Sequence, residues 1–205
     1  MDTRLHQGDL PDGLVLGPIV AIDTETMGLK PERDRLCLVQ MTDGNGVVHV
    51  VQRPVAGGPA PNLTRLLADP ATEKLFHFAR FDVAVLLHSL GVVTQPIWCT
   101  KIASRLVRTY TDRHGLKDLC KELLGVEVKK EQQSSDWGAP VLTAEQLSYA
   151  ASDVLHLHAL RERLRPLLER EGRLELAEAC FRFLPWRARL DLMGYPDGEG
   201  DVLHH

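Results

Sequence analysis

Two acidic residues at the end of an apolar strand constrain this chain more than any other feature of its sequence. Residues 18–22 are apolar and rich in β-branched side chains, which predicts a short buried strand. Asp23 and Glu25 follow, and the two-residue period of a strand places both carboxylates on one face, where like charges repel. A divalent cation such as Mg²⁺ or Mn²⁺ would compensate this charge, because hard cations prefer carboxylate oxygens. For this pair alone, an acidic strand end that faces water is the simpler interpretation, so the other acids of the chain have to be considered with it.

Two further acids lie where helices are predicted. Asp82 falls in the first turn of a helix expected over about residues 80–90, a position that the helix dipole by itself favours for an acid. The longest predicted helix begins at Thr143 and carries Tyr149 and Asp153, which share one face because they are four residues apart. Apolar residues follow Asp153, so its carboxylate is expected to be partly buried and to need a partner or a metal.

The order of the predicted elements indicates an α/β domain with a mixed sheet flanked by helices. Five strands are expected, around residues 18–22, 36–41, 47–51, 74–78 and 97–99. Helices are expected over about residues 63–67, 80–90, 100–108, 116–124, 143–164 and 173–183. We expect Pro166 to kink or end the long helix. The predicted division is a domain over residues 1–184 and an extended tail over residues 185–205 that could contact a neighbouring subunit.

Composition restricts the class of protein. An apolar fraction of 44% in 205 residues allows one sizeable core. No apolar run approaches the ~18 residues that span a bilayer, and residues 1–10 lack the apolar centre of a signal peptide. The four cysteines are widely spaced, which is typical of reduced thiols. We therefore expect a cytoplasmic protein with no membrane association. The net charge of −4 argues against a long basic track for nucleic acid.

The acidic segments together resemble the DEDD superfamily of 3′–5′ exonucleases, in its tyrosine-bearing branch. The segments that match are residues 22–26, 77–82 and 149–153. Further segments are similar to ribonuclease D, namely residues 100–106, 114–117 and 132–137. The resemblance covers residues 14–184 and implies a ribonuclease H-like fold.

The chain is also similar to the nano-RNase C family, whose members are short ribonuclease D-like enzymes. The shared segments are residues 6–11, 108–116, 183–185 and 190–195. Only 52 residues follow Asp153 (205 − 153), too few for the helical RNA-binding domains of ribonuclease D. This resemblance implies a cytoplasmic bacterial enzyme that cleaves dinucleotides at the end of RNA decay and assembles as a ring-like homo-octamer.

The same resemblance implies two-metal hydrolysis of a phosphodiester. Two Mg²⁺ or Mn²⁺ ions about 3.5–4 Å apart would bind the attacking and leaving oxygens. The implied metal ligands are Asp23, Glu25, Asp82 and Asp153. Tyr149 would orient the attacking water, because a phenol with a pKa near 10 is a poor base at neutral pH. The expected product is a nucleoside 5′-monophosphate.

Substrate contacts are predicted around this centre. The candidates are Thr24, Leu29, His77, Phe81, Arg80, Lys101, Arg105, Arg108 and Trp137. Each basic residue either binds a 5′ phosphate or is a structural or solvated charge. Leu29 either separates two bases or packs on the core. For the aromatic residues the alternatives are base stacking and core packing, and packing is favoured for Phe78 and Phe81 but less so for Trp137.

Three functions remain open from the sequence. The first is an exonuclease specific for RNA dinucleotides and short oligonucleotides. The second is a general ribonuclease D-like 3′–5′ exonuclease that trims longer RNA or DNA. The third is an inactive nucleic-acid-binding scaffold, which the complete set of acids disfavours.

Overall fold

A computed structural model describes residues 2–128, 135–195 and 202. Its strands are β1 (Asp2–Gln7), β2 (Ile19–Thr26), β3 (Leu36–Thr42), β4 (Val47–Gln52), β5 (Glu73–Phe76) and β6 (Ile97–Cys99). Its helices are α1 (Pro61–Ala68), α2 (Ala79–Leu90), α3 (Thr100–Val107), α4 (Leu116–Leu119), α5 (Ala144–Leu155), α6 (Leu157–Arg170) and α7 (Leu174–Leu192). A π-helical turn, Cys120–Leu124, continues α4. Within the described part of the chain, no helix combines the length and the apolar character needed to cross a lipid bilayer.

The strands form one mixed sheet in the order β1-β4-β3-β2-β5-β6. Strands β2, β3 and β4 are antiparallel neighbours, whereas β5 and β6 run parallel to β2. The predicted α/β class with a mixed sheet and flanking helices is confirmed, but the sheet has six strands and not five. The additional strand is β1, which pairs in parallel with β4 along the sheet edge. Its sequence is mostly polar and its side chains are largely exposed, so it has no hydrophobic pattern that would predict a strand.

The sheet brings the ends of separate elements to one edge. Every residue of β3 is buried, which is typical of a central strand. Because β2, β5 and β6 are parallel, their carboxyl ends lie at the same edge. Helix α2 begins three residues after β5, and α3 begins directly after β6. Helix α5 packs across β2, β3 and β4. The end of β2, the first turn of α2 and one face of α5 are therefore neighbours.

The long predicted helix is two helices. A capping box at Thr143 begins α5, with Gln146 N donating to Thr143 Oγ1 at 3.1 Å and Thr143 N donating to Gln146 Oε1 at 2.9 Å. Helix α5 ends at Leu155, earlier than predicted, and a turn at His156, with φ −99° and ψ −3°, separates it from α6. Pro166 lies inside α6 and does not end it. A proline ring costs one backbone hydrogen bond, and this one lies on the exposed side of the helix.

The final helix is longer than predicted. Helix α7 passes through Pro185, which is buried, and continues to Leu192. Its last turns are held by Asp191, which accepts from Arg80 Nε at 2.7 Å and from Arg187 Nη2 at 3.0 Å. The prediction of an extended chain is therefore wrong for residues 185–192. Residues 196–201 and 203–205 of the predicted tail lie outside the described residues, so its contact with a neighbouring subunit stays a prediction.

Candidate active site

Three carboxylates meet where β2 ends against α5. Asp23 and Glu25 project from β2, and Asp153 projects from α5. One oxygen of each lies within 4.8 Å of the others. The two-residue period of β2 brings the first pair together, and the packing of α5 across the sheet adds the third. The sequence interpretation of these acids as one cluster is consistent with this geometry.

Asp82 lies beside the cluster and is held by Thr24. Its Oδ1 accepts from Thr24 N at 3.1 Å and from Thr24 Oγ1 at 2.7 Å. Asp82 as a whole is only 3% exposed and belongs to the first turn of α2. Thr24 was predicted as a substrate contact, but here its hydroxyl positions an acid. This bond links β2 to α2 and keeps Asp82 next to the other carboxylates.

Gln40 contacts the cluster from the neighbouring strand, and the sequence analysis did not identify it. It stands directly opposite Asp23 in the β2–β3 register. Its Nε2 donates to Asp23 Oδ2 at 2.7 Å, and the side chain is fully buried. The only signal in the sequence is a glutamine among apolar residues of a predicted strand. Which acid it faces follows from the register and not from any local motif.

Burial and mutual repulsion make these acids hard to ionise without a cation. Burial, then Asp82, Asp153 and Glu25, raise the pKa of Asp23 well above its ordinary value. The pKa of Glu25 is raised to about 9 by burial and then by Asp153 and Asp82. Burial also raises the pKa of Asp82 to about 7 against the opposing bonds from Thr24. For Asp153, burial raises the pKa to about 7, and the hydrogen bond from Tyr149 opposes it. A divalent cation would compensate these charges, and an all-oxygen donor set suits Mg²⁺ or Mn²⁺.

Tyr149 is fixed between Asp153 and an aromatic partner. Its hydroxyl bonds to Asp153, and burial followed by the charge of Asp153 raises the pKa of Tyr149 above its ordinary value. Its ring lies 5.9 Å from that of Trp137, at an angle of 32°. Trp137 is 3% exposed and therefore packs against Tyr149, so the prediction that it stacks a substrate base is not supported. The phenol stays protonated at neutral pH, donates to Asp153 and keeps its oxygen lone pairs as acceptors.

Two exposed apolar side chains, Leu29 and Phe78, lie four residues from cluster acids in the sequence. Leu29 is 85% exposed in the loop that follows β2, and Asp34 closes this loop by accepting from Lys30 N at 3.0 Å. Phe81 packs against the core, as expected, whereas Phe78 is 48% exposed. Phe78 precedes α2 with a φ of 65°, a conformation that is strained for a bulky residue. The expectation that Phe78 packs in the core is therefore wrong.

The four basic residues predicted to contact substrate form two groups. Two of them lie one turn apart on α3, and the other two form ion pairs within the protein. Lys101 and Arg105 lie one turn apart on α3, and Lys101 Nζ sits 3.9 Å from the centroid of the Phe78 ring. Arg80 is tied to α7 through Asp191. Arg108 is 1% exposed and ion-pairs with Glu122, so the structure does not support its predicted role in binding a substrate phosphate.

His77 is neutral and internally bonded. Its Nδ1 lies 2.8 Å from Thr100 Oγ1, at the junction of β6 and α3. Burial, followed by the charge of Lys101, lowers the pKa of His77 to about 3. It therefore offers no positive charge to a phosphate at neutral pH, and its predicted substrate contact would have to be a neutral one.

Comparison with known proteins gives the family. A family model described as a 3′–5′ exonuclease matches residues 13–169, so the chain belongs to the 3′–5′ exonuclease family. Ribonuclease D of Acidiphilium cryptum is 37% identical over 166 residues, which cover 81% of this chain and 42% of that protein. The chain thus spans about two fifths of the length of such curated relatives.

Solved structures extend the likeness to the whole chain. Brucella melitensis NrnC with bound Mg²⁺ is 54% identical with a TM-score of 0.93, and the match covers 100% of both chains. Brucella melitensis NrnC bound to pGG is 55% identical with a TM-score of 0.94, covering 100% of this chain and 99% of that one. The resemblance to nano-RNase C is thereby confirmed, and with it the ribonuclease H-like fold and the assignment to the 3′–5′ exonuclease family.

Proposed function

We propose that this exonuclease hydrolyses RNA dinucleotides and short oligoribonucleotides from the 3′ end to nucleoside 5′-monophosphates, in the cytoplasm, at the end of RNA decay. The observation that carries the proposal is the cluster of Asp23, Glu25 and Asp153, whose oxygens lie within 4.8 Å. The full-length likeness to a protein solved with pGG supports a substrate of this size.

Two divalent cations, Mg²⁺ or Mn²⁺, are part of the proposal. Asp23, Glu25 and Asp153 would hold one, and Asp82 together with Asp23 would hold the other. When bound, such cations activate a water and stabilise charge on the reacting phosphate. The donor set fits this role because every member is a carboxylate and all four are crowded in a buried site. A neighbour solved with Mg²⁺ supports the choice of cation class.

The paired aromatic residues Tyr149 and Trp137 position the attacking water in this proposal. In the proposed mechanism, the Tyr149 hydroxyl keeps its bond to Asp153 and accepts a hydrogen bond from the attacking water, which it holds in line with the phosphate. The raised pKa of Tyr149 keeps the hydroxyl proton on the phenol, so it acts as an orienting group and not as a base. The packing of Trp137 on the Tyr149 ring limits the positions that the hydroxyl can take.

A short substrate fits the surroundings of the cluster. Lys101 and Arg105 provide positive charge on α3, enough for one 5′ phosphate but not for a long backbone. In this proposal Leu29 separates the two bases and Phe78 offers an exposed aromatic face to one of them. A ring-like homo-octamer, proposed from the family resemblance, would further limit access to the site.

A second candidate function is trimming of longer RNA or DNA. The similarity to ribonuclease D of Acidiphilium cryptum favours it, although this chain spans only 42% of that protein. The two functions differ in how the rate depends on substrate length.

Hydrolysis of 5′-labelled RNAs of two to seven nucleotides, at equal concentration and with Mn²⁺ or Mg²⁺, tests the proposal. We expect the dinucleotide to disappear much faster than the heptamer and DNA of the same lengths to be cleaved more slowly. Rates that are flat or rise with length would instead favour trimming. Asp23→Ala should abolish activity, whereas Asp112→Asn, a change at an exposed acid between α3 and α4, should not. Activity that survives Asp23→Ala would refute the catalytic centre.

A further inference from the structure

Gln40 is a buried residue whose side-chain amide donates a hydrogen bond to an acid of the cluster. It faces Asp23 across the β2–β3 pair and donates to Asp23 Oδ2 at 2.7 Å. This contact orients the amide, because its NH2 group donates and the Asp23 oxygen accepts. The other end of the amide, Oε1, is buried and has no hydrogen-bond partner among the residues that the structure describes.

The fold alone does not require an amide at this position. Its neighbours in β3, Val39 and Met41, are apolar and fully buried. A buried carbonyl without a partner costs about 1–3 kcal/mol, which a methionine of similar length would avoid. The feature that distinguishes glutamine from methionine here is the donor aimed at Asp23. This points to a role at the acid cluster and not in packing.

The hydrogen bond from Gln40 restricts the orientation of the Asp23 carboxylate and leaves oxygen lone pairs free for a cation. A carboxylate has two oxygens and about four lone-pair sites, so one amide donor leaves room for a cation. The donor fixes the plane of the carboxylate, which β2 alone leaves free to rotate about χ2. Groups that hold a metal ligand in this way typically change metal affinity 10–100-fold when they are removed.

We propose that Gln40 is a positioning residue of the cation site, which holds the Asp23 carboxylate in the orientation that binds the cation. The inference rests on the proposed function, in which Asp23 is a cation ligand. It predicts that loss of the amide weakens cation binding, while turnover recovers once cation is in excess.

The test is a Mn²⁺ titration of the full-length protein, with free Mn²⁺ followed by electron paramagnetic resonance. Gln40→Met keeps the size of the side chain and removes the donor, and we expect its Kd for Mn²⁺ to rise about 10-fold or more. Thr42→Val is the matched control. Thr42 lies two residues away on the same face of β3, is 2% exposed, and donates to Val47 O at 2.6 Å. Its variant loses a buried hydrogen bond of β3 and should bind Mn²⁺ as the wild type does.

Two further readouts separate positioning from a structural role. In metal-free buffer the Tm of Gln40→Met should stay within a few degrees of the wild type. In dinucleotide hydrolysis, the Mn²⁺ concentration for half activation should rise about 10-fold, with kcat recovering to within about threefold at saturating Mn²⁺. If Gln40→Met does not fold, Gln40→Leu is titrated in the same way.

Asp23→Asn distinguishes the possible failures. If Asp23→Asn loses Mn²⁺ affinity and Gln40→Met keeps it, the inference about Gln40 is wrong and the proposed cation site stands. If Asp23→Asn itself binds Mn²⁺ like the wild type, Asp23 is not a cation ligand and the proposed function is wrong. Equal loss in Gln40→Met and Thr42→Val would show a general effect of disturbing β3 and would also overturn the positioning role.

Discussion

Replacing Asp153 by asparagine is expected to stabilise the metal-free protein while removing its activity. Asp153 shares a buried cluster with the like-charged Asp23 and Glu25, and burial raises its pKa. Asparagine keeps the shape and an acceptor for the Tyr149 hydroxyl but carries no charge. The substitution therefore relieves repulsion and removes a proposed cation ligand at the same time.

The size of the stabilisation follows from the pKa of Asp153. Burial raises this pKa from 3.8 to about 7 on folding, so the folded state binds the proton more tightly than the unfolded state. The contribution of Asp153 to the free energy of unfolding is then most favourable at low pH and falls as the pH rises from about 4 to about 7. At 1.36 kcal/mol per pKa unit, the ionised carboxylate costs about 4 kcal/mol at pH 8 and under about 2 kcal/mol at pH 5. Because asparagine carries no charge, the variant should avoid most of this cost at each pH.

Urea unfolding in EDTA, at pH 5 and pH 8, measures the effect. Asp153→Asn should exceed the wild type in free energy of unfolding at pH 8, and its advantage should shrink by about 2 kcal/mol at pH 5. Excess Mn²⁺ should stabilise the wild type by mass action but not the variant. An Asp153→Asn protein that is less stable than the wild type at pH 8, or that gains equally at both pH values, would refute the reasoning.

Three further outcomes are expected. Tyr149→Phe keeps the ring packed on Trp137 and loses only the hydroxyl, so steady-state kinetics should show kcat about 100-fold lower with KM and Tm nearly unchanged. A loss confined to KM would contradict the orienting role. Arg108→Met removes the hydrogen bonds that Arg108 donates to Ser104 Oγ and Arg113 O and should lower the free energy of unfolding by about 2 kcal/mol, while the specific activity of the folded protein stays the same. Reduced activity without reduced stability would contradict this prediction and indicate that Arg108 contacts the substrate. Lys101→Met should raise KM about 10-fold for a 5′-phosphorylated dinucleotide but not for its 5′-hydroxyl counterpart, and equal effects on both would exclude a contact with that phosphate.

The acids of the site were predictable because each lies in a short local pattern. Asp23 and Glu25 follow an apolar strand, and Asp153 lies on a helix one turn after Tyr149. Such patterns depend on periods of two and of about four residues, which the sequence displays directly. The α/β class followed from the order of these elements. Their convergence at one edge followed only from the resemblance to a known fold.

The features that were missed depend on tertiary context. Gln40 becomes visible only when the register places it opposite Asp23. Strand β1 has no apolar face, because it pairs at an exposed edge of the sheet. The last helix was predicted to end near residue 183, yet α7 continues through Pro185, and its final turns are held through Asp191. In each case a long-range contact outweighs the local preference.

The separation of the acids along the chain has a consequence for synthesis on the ribosome. Asp153 follows Asp23 by 130 residues (153 − 23), and α5 has to dock across β2–β4 before the three carboxylates meet. At roughly 5–20 residues per second, this interval is on the order of ten seconds of translation. During that time the emerging polypeptide carries only part of a nuclease centre. On the proposed function, the cation site is therefore complete only after α5 has left the ribosome and docked on the sheet.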